Sequence, residues 1–281
     1  MTVVDKLAAL IRDTSSSLPE DVEKALKAAK RKEKRGSSAE MILGTILENC
    51  ALARSAGTPL CQDTGTLTFF VDSRLRRKVT PSVLKKAVAL ATEKGYLRKN
   101  TIDAVSGASC DDNCAEGAPV VHYVDGEEGS SAGVTLVMKG GGSENMSRQY
   151  SLPDSSLGAG RDMAGVRRCI LDAVQKAQGY GCAPGILGVC IGGDRATGYE
   201  IAKEQLLRPL DERKSGDAAL RRLETRILKE ANSLGIGPMG LGGETTLLGV
   251  KIASRTRVPA SFFVTVAYMC WACRRRRIVI G

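Results

Sequence analysis

The pattern of apolar positions changes along the chain from a helical spacing to short extended runs. Over 1–56, apolar side chains recur every three or four positions, which predicts a mainly helical lead-in. Further along, short runs rich in β-branched and aromatic residues are typical of strands, and helical segments separate them. Strands are expected at 66–71, 120–124, 134–138, 186–191, 247–252, 261–266 and 278–280, and helices at 81–97, 163–178 and 218–234.

This alternation predicts a mixed α/β fold, with a helical N-terminal region followed by mixed, partly antiparallel sheets with flanking helices. The strands at 120–124 and 134–138 flank a turn rich in glycine and glutamate, which favours an antiparallel hairpin. Residues 147–161 show no periodicity and are expected to form a flexible connection. The chain is expected to form one domain over 1–281, in which 57–281 is the α/β region that carries the chemistry.

Composition narrows the class of protein. Hydrophobic residues make up 43% of the 281 positions and charged residues 26%, which is typical of a globular protein with a sizeable core. No apolar run is long enough to span a bilayer, and the N-terminus lacks the features of a signal peptide, so a cytoplasmic location is expected. The net charge of +10 suits an anionic partner, but an aromatic content of 4% disfavours nucleic acid, and no membrane contact is expected.

Nine cysteines and a single histidine limit the available chemistry. In a cytoplasmic protein so many cysteines need a reason other than disulfides, and no paired CxxC motifs indicate a zinc ribbon. Cys61 and Cys182 lie in loops before predicted strands and Cys270 follows one, so three thiolates could converge as ligands of an iron–sulfur cluster. On spacing alone, the alternative that these are small buried apolar residues stays open.

Polar groups near these cysteines are candidates for substrate binding. The candidates for carboxylate binding are Arg98, Lys99, Arg208 and Arg274, because each is cationic and the planar guanidinium of arginine matches a carboxylate. Asp63 is a candidate acid–base group. Each has a simpler alternative, namely a solvated cation or an aspartate that stabilises its own turn. The glycine-rich segments 140–142 and 237–243 could bring backbone amides close to an anion, although neither fits a nucleotide-binding motif.

With these residues in view, the sequence resembles the class I (iron–sulfur) fumarases and L-tartrate dehydratases. The family's motifs follow one another in the same order along nearly the whole chain. They are PLCQDTG at 59–65, LR at 97–98, KGGGSEN at 139–145, CAPGI at 182–186, LLRP at 206–209, LGIGPMG at 234–240 and CWA at 270–272. Several motifs in a fixed order make this resemblance specific.

The resemblance implies a [4Fe-4S] cluster and a pocket for a dicarboxylate substrate. The implied cluster ligands are Cys61, Cys182 and Cys270. The implied substrate-binding residues are Gln62, Asp63, Arg98 and Gly141. Asp63 is also the implied catalytic residue, while Cys190 and Cys273 fall where the family needs no cysteine. Three ligands leave one iron open as a Lewis acid, which fits the addition or removal of a hydroxyl group.

The implied reaction is the reversible hydration of fumarate to malate by the α subunit of a two-subunit enzyme. L-tartrate dehydratase, which converts tartrate to oxaloacetate, is the alternative from the same class, and a non-catalytic iron–sulfur redox protein is a remote one. Single-chain relatives continue past the position of Gly281, so a separate β subunit is expected to complete the active site in a heterotetramer or larger assembly. Departures from the family pattern at 110–119 and at Ala183 leave the substrate open.

Overall fold

The computed structural model describes residues 1–126, 129–212 and 217–281, and these form eight α-helices and ten β-strands. The helices are α1 (Val3–Ser16), α2 (Glu20–Lys32), α3 (Ser38–Ala56), α4 (Pro81–Glu93), α5 (Gly141–Asn145), α6 (Met163–Ala177), α7 (Arg195–Gln205) and α8 (Ala218–Asn232). The strands are β1 (Thr66–Asp72), β2 (Thr101–Ile102), β3 (Ser109–Cys110), β4 (Val120–Val124), β5 (Gly133–Lys139), β6 (Arg148–Ser151), β7 (Gly185–Ile191), β8 (Leu247–Ser254), β9 (Phe263–Met269) and β10 (Arg274–Val279). The predicted mixed α/β class, with its helical N-terminal region, is confirmed.

The chain divides into two compact units, each built on a four-stranded sheet. Unit 1 comprises Met1–Pro19, Glu48–Gly141 and Ala272–Gly281, and unit 2 comprises Glu20–Leu47 and Gly142–Trp271. No helix in the described part of the chain combines the length and the apolar character needed to cross a bilayer.

The sheet of unit 1 has the strand order β10-β5-β1-β4. β1 runs antiparallel to β5 and parallel to β4, and β10 runs antiparallel to β5. α1 packs against α4, β5 and β10, and Leu7, Leu10 and Ile11 of α1 are buried in the core. β1 is buried at every position after Thr66, so its polar residues Thr68 and Asp72 are buried together with its apolar ones.

The sheet of unit 2 has the order β6-β9-β7-β8 and carries helices on both faces. Leu187 and Val189 of β7 belong to the core that also includes residues of α6 and α8. On the opposite face α7 approaches so closely that a Cβ atom at Gly188 would lie 2.0 Å from the carbonyl oxygen of Ala202. A glycine is therefore needed in the middle of this strand.

The two sheets share one pattern of strand pairing. In each, an inner strand (β1 or β7) has a parallel neighbour (β4 or β8) on one side and an antiparallel neighbour (β5 or β9) on the other, and a further antiparallel strand (β10 or β6) completes the sheet. The strand that completes each sheet comes next in sequence after a strand of the other sheet. β6 follows β5 but pairs with β9, whereas β10 follows β9 but pairs with β5.

Two expectations about the connections are wrong. Residues 147–161 include β6, which pairs with β9, and a 3-10 helix at Ser155–Leu157 capped by Asp154. The predicted hairpin does not form, because β4 and β5 pair with opposite sides of β1. Both errors have the same cause: the pairing partners are distant in sequence, and local periodicity carries no information about them. Residues 127–128 of the predicted turn lie outside the described residues.

Candidate active site

Three strand ends meet at one edge of the unit 1 sheet. β1 begins at Thr66, opposite Lys139 at the end of β5, and β10 begins at Arg274, opposite Met138. Because both β1 and β10 run antiparallel to β5, these ends share one edge. This edge collects the loop before β1, the segment after β5 and the first residue of β10.

Asp63 is tied to all three parts of this edge. Its Oδ1 accepts a hydrogen bond from the amide of Gly65 at 2.9 Å, and its Oδ2 accepts one from the amide of Gly141 at 2.6 Å. Nη2 of Arg274 donates to the Asp63 carbonyl oxygen at 3.0 Å. The bond to Gly65 stabilises the turn that contains Asp63, as the simpler alternative for this residue predicts. The bond to Gly141 also joins Asp63 to a segment that is distant in sequence. Two predicted site residues, Asp63 and Gly141, are thus brought together.

The glycines of this edge are required by close approaches. Gly65 has a φ of +76°, and a Cβ atom there would lie 2.5 Å from the carbonyl carbon and oxygen of Lys139. A Cβ atom at Gly140 would lie 2.8 Å from Oδ2 of Asp63. The glycines in the motifs at 59–65 and 139–145 therefore allow two backbone segments and one carboxylate to pack together.

The loop before β1 is anchored at Leu60, next to Cys61. The amide of Leu60 donates to the carbonyl oxygen of Ser15 at 2.9 Å, and the Leu60 carbonyl oxygen accepts from Nδ2 of Asn49 at 2.9 Å. Cys61 is partly buried and Gln62 is exposed. The loop is thus held at its base, while the predicted ligand and the predicted substrate-binding amide reach solvent.

Arg98 is exposed in unit 1, and a residue that the sequence did not reveal organises its backbone. Asn113 is buried, has a φ of +60°, and donates from Nδ2 to the Arg98 carbonyl oxygen at 2.8 Å. Its Oδ1 accepts from the amides of Asn100 and Thr101 at 3.1 and 3.0 Å. Asn113 lies in the loop where the sequence departs from the family pattern, so no motif pointed to it; an asparagine between turn residues was the only local signal.

The corresponding edge of the unit 2 sheet carries two cysteines. Cys182 shortly precedes β7, and Cys270 directly follows Met269, the last residue of β9. β7 and β9 are antiparallel neighbours, so these positions share one edge. The carbonyl oxygen of Cys182 accepts a hydrogen bond from the amide of Trp271 at 3.2 Å. Two of the three predicted cluster ligands are thus brought together, while Cys61 belongs to unit 1.

Cys182 has an unusual backbone conformation. Its φ of +52° lies in the left-handed region, which non-glycine residues rarely adopt and which is concentrated at functional sites. The next residue, Ala183, accepts a hydrogen bond at its carbonyl oxygen from the amide of Met239 in the glycine-rich loop, at 2.9 Å. The fold therefore holds this thiol in an exposed position by contacts on its C-terminal side.

Tyr268 packs beneath the same edge. A Cβ atom at Gly181 would lie 2.4 Å from Cε1 of the Tyr268 ring, so this glycine admits the ring. Burial raises the pKa of the Tyr268 phenol, and the neighbouring Cys270 and Cys182 act in the same direction. One buried phenol is therefore within electrostatic range of both thiols.

Exposure distinguishes the predicted ligands from most other cysteines. Cys182 is exposed, and Cys61 and Cys270 are partly buried. The fully buried cysteines are Cys50, Cys169, Cys190 and Cys273. Burial raises the pKa of Cys190 to about 11 and that of Cys169 to about 12, which disfavours the thiolate form that binds metal. Burial likewise raises the pKa of the partly buried Cys114 to about 11.

The donor chemistry of the predicted ligands fits an iron–sulfur cluster, because all nine cysteines lie in the described ranges as thiols and three of them reach solvent from sheet-edge loops. Within those ranges, no group of three or more histidine, cysteine, aspartate or glutamate side chains is placed to hold a metal ion.

Comparison with known proteins identifies one family. The sequence model of the family "Fumarate hydratase (Fumerase)" matches residues 4–279. A protein from Geobacillus stearothermophilus named "Putative fumarate hydratase class I" is 49% identical over 274 residues, which cover 95% of this chain and 52% of that protein. The chain therefore spans about half the length of this relative.

Two other relatives match over nearly their whole length. The "Putative L(+)-tartrate dehydratase subunit alpha" of Methanocaldococcus jannaschii is 34% identical over 283 residues, covering 98% of this chain and 96% of that protein. The "L(+)-tartrate dehydratase subunit alpha" of Escherichia coli strain K12 is 31% identical over 284 residues, covering 99% and 91%. The resemblance inferred from the motifs is confirmed, and the chain belongs to the fumarate hydratase (Fumerase) family.

Proposed function

We propose that this chain is the α subunit of a [4Fe-4S]-dependent hydro-lyase that reversibly hydrates fumarate to malate. The observation that carries the proposal is the 49% identity, over 95% of this chain, to the Geobacillus protein whose name gives that activity. We further propose that 1–281 acts as one functional domain, in which 57–281 carries the chemistry and 1–56 supports it.

Cys61, Cys182 and Cys270 are the proposed ligands of the cluster. They are the three cysteines that combine a position in a sheet-edge loop with access to solvent at a family motif. When bound, the cluster supplies a Lewis-acidic iron that makes the hydroxyl group a better leaving group and a bound water more acidic.

The unit 1 residues bind and orient the dicarboxylate in this proposal. The exposed guanidinium of Arg98 offers a planar fork for one carboxylate, and the exposed amide of Gln62 offers a further donor. Asp63 is the acid–base group. Because its two oxygens are held by the amides of Gly65 and Gly141, its carboxylate is fixed in one orientation before substrate arrives. That preorganisation favours proton transfer at a single position.

A separate β subunit is the proposed partner, and it would complete the active site. The Methanocaldococcus and Escherichia relatives are named as α subunits. We propose a cytoplasmic heterotetramer or larger assembly. The +10 net charge gives this chain a surface suited to an acidic partner subunit and to anionic substrates.

L-tartrate dehydratase is the second candidate, because the Methanocaldococcus and Escherichia relatives, which are 34% and 31% identical to this chain, carry that name. Both reactions remove water from a hydroxy dicarboxylate, so the same donors serve either substrate. A non-catalytic iron–sulfur protein is the remote alternative, and it predicts a cluster without turnover.

The deciding experiment is an anaerobic assay of the complete enzyme. The chain is purified with its β subunit, and iron and sulfide are reconstituted. Ultraviolet absorbance is then followed at the fumarate band after addition of fumarate or malate, and at the band of enol oxaloacetate after addition of L-tartrate. Turnover of fumarate and malate that is lost in air would support the fumarase. Turnover of tartrate alone would transfer the assignment to tartrate dehydratase, and a bound cluster without any turnover would refute both.

A further inference from the structure

We propose that Arg274 is a positioning residue for the loop that carries Asp63, and that its remaining N–H groups bind an anionic group that arrives at this edge of the unit 1 sheet. The positioning role stands on the geometry alone. The identity of the anion rests on the proposed function.

Arg274 is buried almost completely, with 1% of its surface exposed, and is among the largest fully buried side chains of the chain. Nη2 donates to the Asp63 carbonyl oxygen at 3.0 Å. Nε and Nη1 are buried and have no hydrogen-bond partner among the described residues. The guanidinium is thus shielded from water, and within the described residues it donates to one neutral acceptor, the Asp63 carbonyl oxygen.

Such an arrangement is unfavourable unless a further group joins it. A guanidinium remains charged throughout the accessible pH range, and a buried charge is strongly destabilising when its donors are not satisfied. Folded proteins therefore pair buried arginines with anions or with several acceptors. The unused N–H groups of Nε and Nη1 consequently point to an acceptor that the described residues do not supply.

The position of Arg274 in the sheet connects this charge to the candidate site. It is the first residue of β10, opposite Met138, and so lies at the edge where the loop before β1 and the segment after β5 meet. Its bond holds the main chain of Asp63, while Gly65 and Gly141 hold the carboxylate. Main chain and side chain of Asp63 are therefore fixed from different strands, and Arg274 is the only charged donor of the three.

The chemistry of the acceptor is that of an anion at the Cys61–Gly65 loop. In the proposed function two sources deliver one: a carboxylate of the substrate, or the sulfur atoms of the cluster and its thiolates. Both accept hydrogen bonds from guanidinium groups. The two sources differ in when they act, because a carboxylate acts without a cluster and cluster sulfur acts without a substrate.

The positioning role is tested by hydrogen–deuterium exchange of the full-length chain without cluster. Arg274→Lys keeps the charge but loses the planar donor set, and Arg276→Lys, two residues along the same strand and partly exposed, is the matched control. We expect the amides of Gly65 and Gly141 to exchange about tenfold faster in Arg274→Lys and unchanged in Arg276→Lys. Wild-type exchange at both amides in Arg274→Lys would overturn the positioning role.

The anion is tested in two arms. In the first arm, succinate is added to the chain without cluster, and the midpoint temperature of thermal unfolding is measured. We expect succinate to raise this midpoint in the wild type and in Arg276→Lys but not in Arg274→Lys.

In the second arm, the reconstituted protein is exposed to air without dicarboxylate, and the bleaching of its visible absorption is timed. We expect faster bleaching only in Arg274→Lys. A positive first arm identifies a carboxylate and a positive second arm identifies cluster sulfur, while two negative arms overturn anion binding.

If Arg274→Lys fails to fold, anion binding is tested on the wild-type chain instead. A ¹⁵N-labelled sample is titrated with succinate and, separately, with neutral succinamide, and the Nε–H resonance of Arg274 is followed. A shift with succinate alone supports a carboxylate site, and an equal response to both, or to neither, refutes it. None of these readouts uses turnover, so a failed hydro-lyase assay and a failed Arg274 test are distinguishable.

Discussion

The two units share one pattern of strand pairing but place different side chains at the corresponding edge of each sheet. In both, a loop with a cysteine precedes the inner strand, and a second segment leaves the antiparallel neighbour at the same edge. In unit 2 that second segment begins with Cys270, whereas in unit 1 it begins with Gly140, which leaves room for the Asp63 carboxylate. The shared pairing pattern thus provides a comparable edge in each unit, and the loop residues decide which side chain accompanies the first cysteine: the Asp63 carboxylate in unit 1 and the Cys270 thiol in unit 2.

The anchors of the two edges also differ in charge. In unit 1 the buried cation Arg274 holds the Asp63 main chain. In unit 2 the buried carboxylate of Glu33 accepts hydrogen bonds from the amides of Glu244 and Thr245 at 2.9 and 3.0 Å, just after the glycine-rich loop. The carboxylate of Glu33 is satisfied by backbone amides, while Nε and Nη1 of Arg274 have no hydrogen-bond partner among the described residues. Of these two anchors, Arg274 is therefore the one suited to the proposed anion.

The largest effect is expected from the thiols of unit 2. Cys270→Ser should abolish the visible absorption of the reconstituted cluster and all turnover, because a serine hydroxyl does not replace a thiolate ligand. Cys273→Ser, a buried neighbour three residues away, should retain both. Absorbance and iron content per chain are the measurements. Equal loss from both variants, or from neither, would contradict the assignment of the ligands.

The next largest effect is expected from the acid–base group of unit 1. Asp63→Asn should lower kcat by about two to four orders of magnitude while the iron content stays at the wild-type level, because general acid–base catalysis contributes on that scale. Asp111→Asn, at an exposed aspartate of the same unit, is the control. If Asp63→Asn also lost its iron, the lower activity would follow from loss of the cluster, which would contradict the proposed acid–base role of Asp63.

The close packing at the unit 1 edge predicts a large loss of stability from one methyl group. Gly65→Ala combines a left-handed φ with a clash against the backbone of Lys139, so unfolding should become easier by about 3 kcal/mol or more. Gly57→Ala shares the positive φ but meets no atom within 4 Å, so the cost there should be only about 1–2 kcal/mol. Urea denaturation of both variants measures the difference. Equal losses would show that conformation alone, and not the approach of Lys139, demands glycine.

The smallest effect on stability is expected at the C-terminal ends of the inner strands. β1 ends at Asp72, which forms an ion pair with Arg74, whereas β7 is followed by two glycines. Hydrogen bonds from Arg74 lower the pKa of Asp72 from 3.8 to about 2. A carboxyl group with a lowered folded pKa stabilises the fold above its unfolded pKa and loses that contribution as the pH falls through the folded value.

Asp72→Asn should therefore be less stable than the wild type near neutral pH, and the difference should shrink as the pH falls from about 4 to about 2. Urea unfolding at a series of pH values measures this. A difference that persists unchanged to the lowest pH would mean that packing, and not the charge of Asp72, is what the variant loses.

Local patterns predicted most elements but not their partners. The helix expected at 163–178 is α6, and the strand expected at 186–191 is β7, because their apolar periodicity matches the faces they bury. The last strand was expected only at 278–280, whereas β10 begins at Arg274. Four successive arginines have little strand propensity, and they are extended because β5 supplies the hydrogen bonds.

The candidate site likewise contains residues that motifs indicate and one residue that only the structure reveals. Motifs pointed to Asp63, Arg98 and Gly141, and the structure brings Asp63 and Gly141 into direct contact. Asn113 had no such signal, because its importance lies in bonds to the backbone on both sides of Arg98. A residue that acts by bracing another segment is recognisable only when that segment is seen beside it.

By itself the sequence determined the class of the fold, the family and the residues that its motifs share, because helix and strand periods and motif order are local properties of the chain. Tertiary structure alone decided that β6 and β10 are exchanged between sheets, that Asp63 meets an amide far along the chain, and that Arg274 is buried with unused donors. The physical reason is that pairing, burial and hydrogen-bond satisfaction depend on which distant segments the fold places side by side. No local pattern encodes them.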